Sequence, residues 1–219
     1  MKTNLVRVVV ASMLLFGAVA QAQWGTGSEG LRQSQTIWAL NWEVAGPIGD
    51  FKNYVSDWSL RGFSLEGRYL VTEKISVGGS FSFNRWEQTY NQISVPIPGL
   101  TGLNGIASGP VYRYADMFAL RALVHYYLGQ AGGRFQPYLG AGIGGVWDYS
   151  YQQIADLSYT QNNFNFIVSP ELGVIITLAS GSTSLGINFA FRYTFTTANP
   201  GRTSNAQTIG PIIGLAWYY

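Results

Sequence analysis

The chain has 219 residues, room for one domain of ordinary size. Charged residues make up 11% of it and aromatics 15%, with 27 glycines and no cysteine, whereas a typical soluble domain is about 25% charged. So little charge would leave a soluble surface poorly covered. A mean hydropathy of +0.09, with no mature stretch near the ~20 consecutive apolar residues of a spanning helix, excludes a helical membrane bundle. What remains is a chain in which apolar and polar residues interleave, the composition of a membrane β-barrel.

The N-terminus reads as an export signal. Lys2 and Arg7 precede an apolar run from Val8 to Ala20, and Ala20-Gln21-Ala22 supplies a small-residue cleavage site. Residues 1–22 are therefore expected to be a cleaved signal peptide, 23–35 a polar, glycine-rich lead-in, and 36–219 the folded domain. Cleavage removes two of the 13 basic residues and none of the 11 acidic ones, so the mature chain carries no net charge. No nucleic-acid partner is expected. An exported chain without cysteine also holds together without disulfides.

From Thr36 onward the sequence alternates with a period of two. The clearest stretch is Leu185 to Phe195. Leu185, Ile187, Phe189, Phe191, Tyr193 and Phe195 share one parity, with Gly186, Asn188, Ala190, Arg192 and Thr194 on the other. Such a strand has a different environment on each face. The pattern recurs around Trp38–Val44, Phe63–Tyr69, Ile75–Asn84, Phe118–Tyr126, Leu139–Asp148, Phe164–Val174 and Ile209–Tyr219. Eight strands result, each long enough to cross a bilayer at a tilt.

The connections alternate in length. Those at about 46–59, 87–112, 149–162 and 196–206 are long. Those at about 70–74, 128–134 and 176–183 are short and carry turn residues such as Thr72-Glu73-Lys74 and Ser180-Gly181. Long loops on one side and short turns on the other are the asymmetry of outer-membrane barrels, and in lipid an open sheet edge must close. The predicted fold is all-β: a transmembrane antiparallel up-and-down β-barrel of eight strands. Pro170 and Pro211 each lack a ladder donor and are expected at bulges or beyond the paired zone.

The apolar parity is placed outside, against lipid. The other parity is too small and too weakly charged for a water-exposed surface. Tyr69, Tyr126, Trp147, Tyr193, Trp217 and Tyr219 gather at strand ends, where interfacial girdles sit. The rival, a soluble barrel around an apolar ligand, needs a charged exterior that this chain does not have.

Gly214-Leu215-Ala216-Trp217-Tyr218-Tyr219 is similar to the C-terminal signal of outer-membrane proteins, a glycine followed by a hydrophobic residue and a terminal aromatic. Pro137 to Gly145 resembles a fifth-strand segment of the small outer-membrane β-barrel family (OmpA/OmpX/OmpW-like). The resemblance spans residues 36–219. It implies location in the bacterial outer membrane among lipid and lipopolysaccharide, with Gly214, Trp217 and Tyr219 read by the barrel-assembly machinery. A tyrosine stands last where phenylalanine is commoner. A monomer without cofactor is expected.

Glu43, Glu66, Arg68, Arg121, His125, Glu171 and Arg192 fall on the inward parity. Eight strands leave an interior just wide enough for side chains, so these groups are expected to pair and plug it. Counting back from a turn near residue 180 puts Glu171 opposite residue 189, with Arg192 in diagonal reach. The alternative is a polar pore or transporter for small molecules, gated by one of these pairs. A lipid-modifying enzyme is the third class. The single histidine, His125, is its only candidate base, and it is expected inside the barrel near Tyr138, out of reach of a lipid ester. No catalytic residue is assigned.

One histidine and no cysteine make no transition-metal cluster, and the carboxylates Asp50, Asp57, Asp148 and Asp156 match no calcium loop. Arg85, Arg113 and Arg202 lie where they would meet lipopolysaccharide phosphates. The segment 87–112, rich in Ile, Pro and Gly, is expected to be a long loop with an apolar surface suited to adhesion or to admitting a hydrophobic molecule.

Overall fold

The computed structural model describes residues 36–96, 106–129, 134–154, 157–179, 184–198, 200 and 204–218. The expected signal peptide and lead-in, together with Arg202 and Tyr219, lie outside these. The described residues form eight strands: β1 (Thr36–Ile48), β2 (Ser59–Leu70), β3 (Ile75–Pro96), β4 (Ile106–Tyr127), β5 (Phe135–Ile154), β6 (Leu157–Ala179), β7 (Ser184–Thr196) and β8 (Ala206–Tyr218). They close in sequence order, β8 pairing antiparallel with β1 from Ile37↔Tyr218 to Ile48↔Gln207. The predicted eight-stranded up-and-down barrel is the fold.

Alternation builds it. Trp38, Leu40, Trp42, Leu65, Phe118, Leu120, Ile143, Leu172, Phe189 and Leu215 are exposed on the outer face, while their sequence neighbours Ala39, Asn41, Ser64, Glu66, Arg121, Glu171 and Asn188 are buried inside. The exterior is apolar and the interior carries the charge. Only a lipid environment makes that distribution favourable, since no apolar exterior of this extent is stable in water.

Two expectations are corrected. Residues 87–96, 106–112, 149–154 and 157–162, expected in loops, are strand. β3 and β4 have 22 residues each, β5 has 20 and β6 has 23, against 12 or 13 in β1, β2, β7 and β8. A crossing needs ~9–11 residues, so β3–β6 continue past the apolar belt by about ten residues, ~30 Å at ~3.3 Å per residue, and form a tall wall on one side. Beyond lipid both faces of this wall meet similar surroundings, so the parity signal that marks a crossing strand fades.

The prolines are the second correction. Both sit within the barrel and off the bulges. Pro170 pairs opposite Ala141, and Pro211 opposite Phe191. The ladder of β6 to β7 lapses between Val168↔Phe195 and Glu171↔Arg192 without changing register, and that of β1 to β8 lapses likewise between Glu43↔Ile212 and Gly46↔Ile209. Each proline turns its missing donor to one neighbour and keeps the other ladder intact. The bulge nearby lies on β2, where Leu60 and Arg61 oppose the single residue Val44.

A four-residue helix, α1 (Phe51–Tyr54), between β1 and β2 was not anticipated. It turns into the barrel mouth at the end that carries the tall wall.

Candidate functional site

The barrel interior has three zones. At the short-turn end Ile37, Ala39, Tyr127, Tyr138, Ile175, Ala190, Ile212, Ala216 and Tyr218 pack as one apolar cluster. At the tall-wall end Phe51, Tyr54 and Val55 pack with Trp86, Ala115, Met117, Ala119, Val146, Ile167 and Ala206 in a second. Between them lies a belt containing every charged lumen residue the sequence singled out: Glu43, Glu66, Arg68, Arg121, His125, Glu171 and Arg192 are each 6% exposed or less.

Arg192 is the hub. Its guanidinium bonds Glu43 through Nη1, reaches Glu66 Oε1 at 2.6 Å through Nη2, and meets Glu171 Oε2 at 2.7 Å from Nε and 2.5 Å from Nη2. Arg68 donates to Glu66 Oε2 at 2.6 Å from Nη2 and 3.1 Å from Nε, and its Nη2 stands 3.7 Å from Glu171 Oε1. His125 Nε2 lies 2.9 Å from the same Glu171 oxygen. Arg121 stands apart: it donates to Ser82 at 2.8 Å and makes no ion pair among the described residues. With His125 neutral, three carboxylates balance three guanidiniums, so the belt carries no net charge. Charges this deeply buried persist only when paired.

The Glu171–Arg192 pair is closer than expected. The two residues are direct cross-strand partners. The register of β6 on β7 is displaced by three residues from one counted about residue 180.

Glycines let this network reach across the sheet. His125, Gly140 and Glu171 form one row over β4, β5 and β6, and a Cβ on Gly140 would stand 2.6 Å from His125 Cδ2 and 2.7 Å from Glu171 Cγ. The histidine and glutamate therefore bond over the top of β5. The same device recurs at Gly214, where Asn188 donates to Asn41 at 2.9 Å across β8 and a Cβ would meet Asn41 Oδ1 at 2.3 Å. Gly214 of the expected assembly signal thus also has a packing role, and Trp217 pairs with Trp38 and Leu185 in the closing strand.

The chemistry of the belt is restricted. Glu66, His125 and Glu171 offer ligand atoms within 4.8 Å of one another. However, Arg68 and Arg192 already bond those carboxylates, so the cation there is supplied by the protein. Ser76 Oγ lies 3.5 Å from His125 Nδ1, giving a serine–histidine–glutamate order. All three are buried. A cavity of about 30 Å³ lies elsewhere, lined by Glu43, Asn84, Trp86, Arg121, Arg192 and Thr208 among others. That is room for two or three waters, at ~10–15 Å³ each.

Above the belt, α1 is held as a stopper. Phe51 meets the edge of Trp86 at 5.3 Å, Trp86 Nε1 donates to Ala45 O at 2.9 Å, and Tyr54 Oη donates to the carbonyls of Tyr114 and Tyr151 at 3.3 and 3.1 Å. Burial pushes the Tyr54 phenol up to about 12, against the opposing pull of Arg113, so it stays a donor at neutral pH. Arg113 donates to Asn53 O at 3.2 Å and Tyr54 O at 3.0 Å and sits between the Tyr54 and Tyr90 rings. It thus caps the stopper where the sequence suggested a phosphate contact. Arg85 does face outward, but in a two-pronged pair with Asp116 at 2.6 Å on both arms.

An apolar exterior, a charge-paired interior and closed strand order define a transmembrane antiparallel β-barrel. The sequence matches no protein-family model and no curated protein. Among solved structures it is similar to Ail, the attachment invasion locus protein of Yersinia pestis (10% identity, 85% of this chain and 97% of that one, TM-score 0.49). It is also similar to Neisserial surface protein A (10%, 86% and 98%, 0.48) and to outer membrane protein AlkL (14%, 91% and 95%, 0.35).

Proposed function

We propose that this chain is a bacterial outer-membrane barrel that acts through its outer surface, with a non-catalytic, structural or interaction role, and that its lumen is a packed stem and not a conduit. The observation that carries this reading is the Arg192 hub, which ties strands from opposite sides of the lumen together at its centre. α1 stops the mouth above it. In this reading the short turns face the periplasm and the tall wall stands outside the cell, the arrangement usual for such barrels.

Purified, refolded protein in a planar lipid bilayer tests the stem. No single-channel steps are expected. Stable steps that vanish when Arg192 is neutralised would establish a gated pore instead. Cell fractionation tests the location: deleting Trp217 to Tyr219 removes part of the closing strand and is expected to leave the protein degraded or stranded in the periplasm. Normal insertion of that truncation would count against the outer-membrane reading.

A further inference from the structure

Arg121 differs from the other two guanidiniums of the belt. Arg68 and Arg192 each hold carboxylates, whereas Arg121 pairs with none among the described residues. It is 6% exposed, its Nη1 donates to Ser82 Oγ at 2.8 Å, and its Nε has no partner among them. A guanidinium taken out of water without an opposite charge beside it is costly, so what faces Arg121 matters.

It faces the 30 Å³ cavity, which lies between the belt and the stopper. Glu43, Arg121 and Arg192 line it from the belt, and Trp86, Met117 and Ile167 line it from the cluster that holds α1. The charged groups of this lining are two guanidiniums and one carboxylate. Both oxygens of that carboxylate are taken, Oε1 by Arg192 and Oε2 by Asn84 Nδ2, the latter at 2.8 Å. Glu66 and Glu171, the other two partners of Arg192, are not in the lining. The wall is left with one positive charge in excess.

The rest of the lining suits that charge. Ser82 accepts from Arg121 through its oxygen, so its hydroxyl hydrogen is free to donate, and Thr208 brings a second hydroxyl. The stopper side is apolar, so attraction between charges in the cavity is weakly screened. Space for two or three waters also takes one compact ion.

We propose that the cavity is a binding site for one monovalent anion of halide size, the counter-ion of Arg121, with Ser82 and Thr208 as its neutral donors. A halide carries a single charge and makes no directional demand, which suits a wall of one guanidinium and scattered hydroxyls. The site belongs to the stem, so it stands whichever surface of the barrel acts.

The test is urea unfolding of the refolded barrel in detergent micelles, with sodium bromide replacing sodium gluconate at constant ionic strength so that screening is unchanged. Gluconate is too large for the cavity. The wild-type midpoint is expected to rise with bromide, by an equal step for each tenfold increase above the dissociation constant. Arg121→Gln removes the charge and Ala119→Leu fills the space, and each is expected to lose the bromide dependence. Crystals of the wild type soaked in bromide should show an anomalous peak beside the Arg121 guanidinium, and they decide the matter if neither variant refolds. Equal midpoints in bromide and gluconate, a bromide dependence kept by Arg121→Gln, or a soaked crystal with only water in the cavity would each overturn the proposal.

Discussion

The belt and the stopper close the same lumen by different physics. In the belt, closure comes from charge-assisted bonds among side chains on β1, β2, β4, β6 and β7, all desolvated and mutually dependent. In the stopper it comes from apolar contact between α1 and the walls, with neutral hydrogen bonds at Tyr54 and Trp86. A paired charge network fails when any one member is lost, because its partners stay buried and uncompensated. An apolar plug loses stability in proportion to what is removed.

Substitutions can break or sharpen that contrast. The largest effect is expected for Arg192→Met, which leaves Glu43, Glu66 and Glu171 without their shared cation. A loss of ~3–5 kcal/mol should appear in urea unfolding of the refolded barrel, and a loss below about 1 kcal/mol would show that the belt is not a mutually dependent unit. Phe51→Ala should cost ~3 kcal/mol, near the low end for such truncations because the mouth can relax. The bilayer should stay silent in that variant, since the belt still closes the lumen. Gly140→Ala, which drives a methyl between His125 and Glu171, should cost ~1–3 kcal/mol by overpacking. Tyr54→Phe removes the hydroxyl that ties α1 to the Tyr114 and Tyr151 carbonyls and should cost ~1 kcal/mol. Arg61→Ala, at an exposed pair with Glu87, is the control and should stay within ~0.5 kcal/mol of wild type.

Much of the belt was legible in the sequence because a crossing strand has two unlike environments and a parity that separates them. Glu43, Glu66, Arg68, Arg121, His125, Glu171 and Arg192 are all inward, as alternation predicts. The stopper was not legible. Phe51, Lys52, Asn53 and Tyr54 carry no helical periodicity in so short a turn, and its inward partners Trp86 and Met117 are apolar on a parity expected to be polar. The extent of β3–β6 was hidden for the reason given by their position: past the lipid, alternation no longer reports two solvents. The placement of Glu171 against Arg192 depended on the register of β6 on β7, which parity alone does not fix. The inward glycines at 140 and 214 were visible as small residues. What they permit, a bond passing over a strand, needs the third dimension.

The belt also bears on how the barrel forms. Arg192 and Glu43 are 149 residues apart in sequence, and their strands are brought together only through β8. Until β8 docks on β1, a nearly complete sheet holds Arg192 near Glu171 but leaves Glu43 without its cation and the lumen open to water. Closure then satisfies several buried charges at once. The last seam is therefore the most cooperative step of assembly: a half-zipped sheet gains little from the network, and a fully zipped one gains all of it. Slow release of the open form, followed by abrupt locking, is the kinetic signature such a seam should leave.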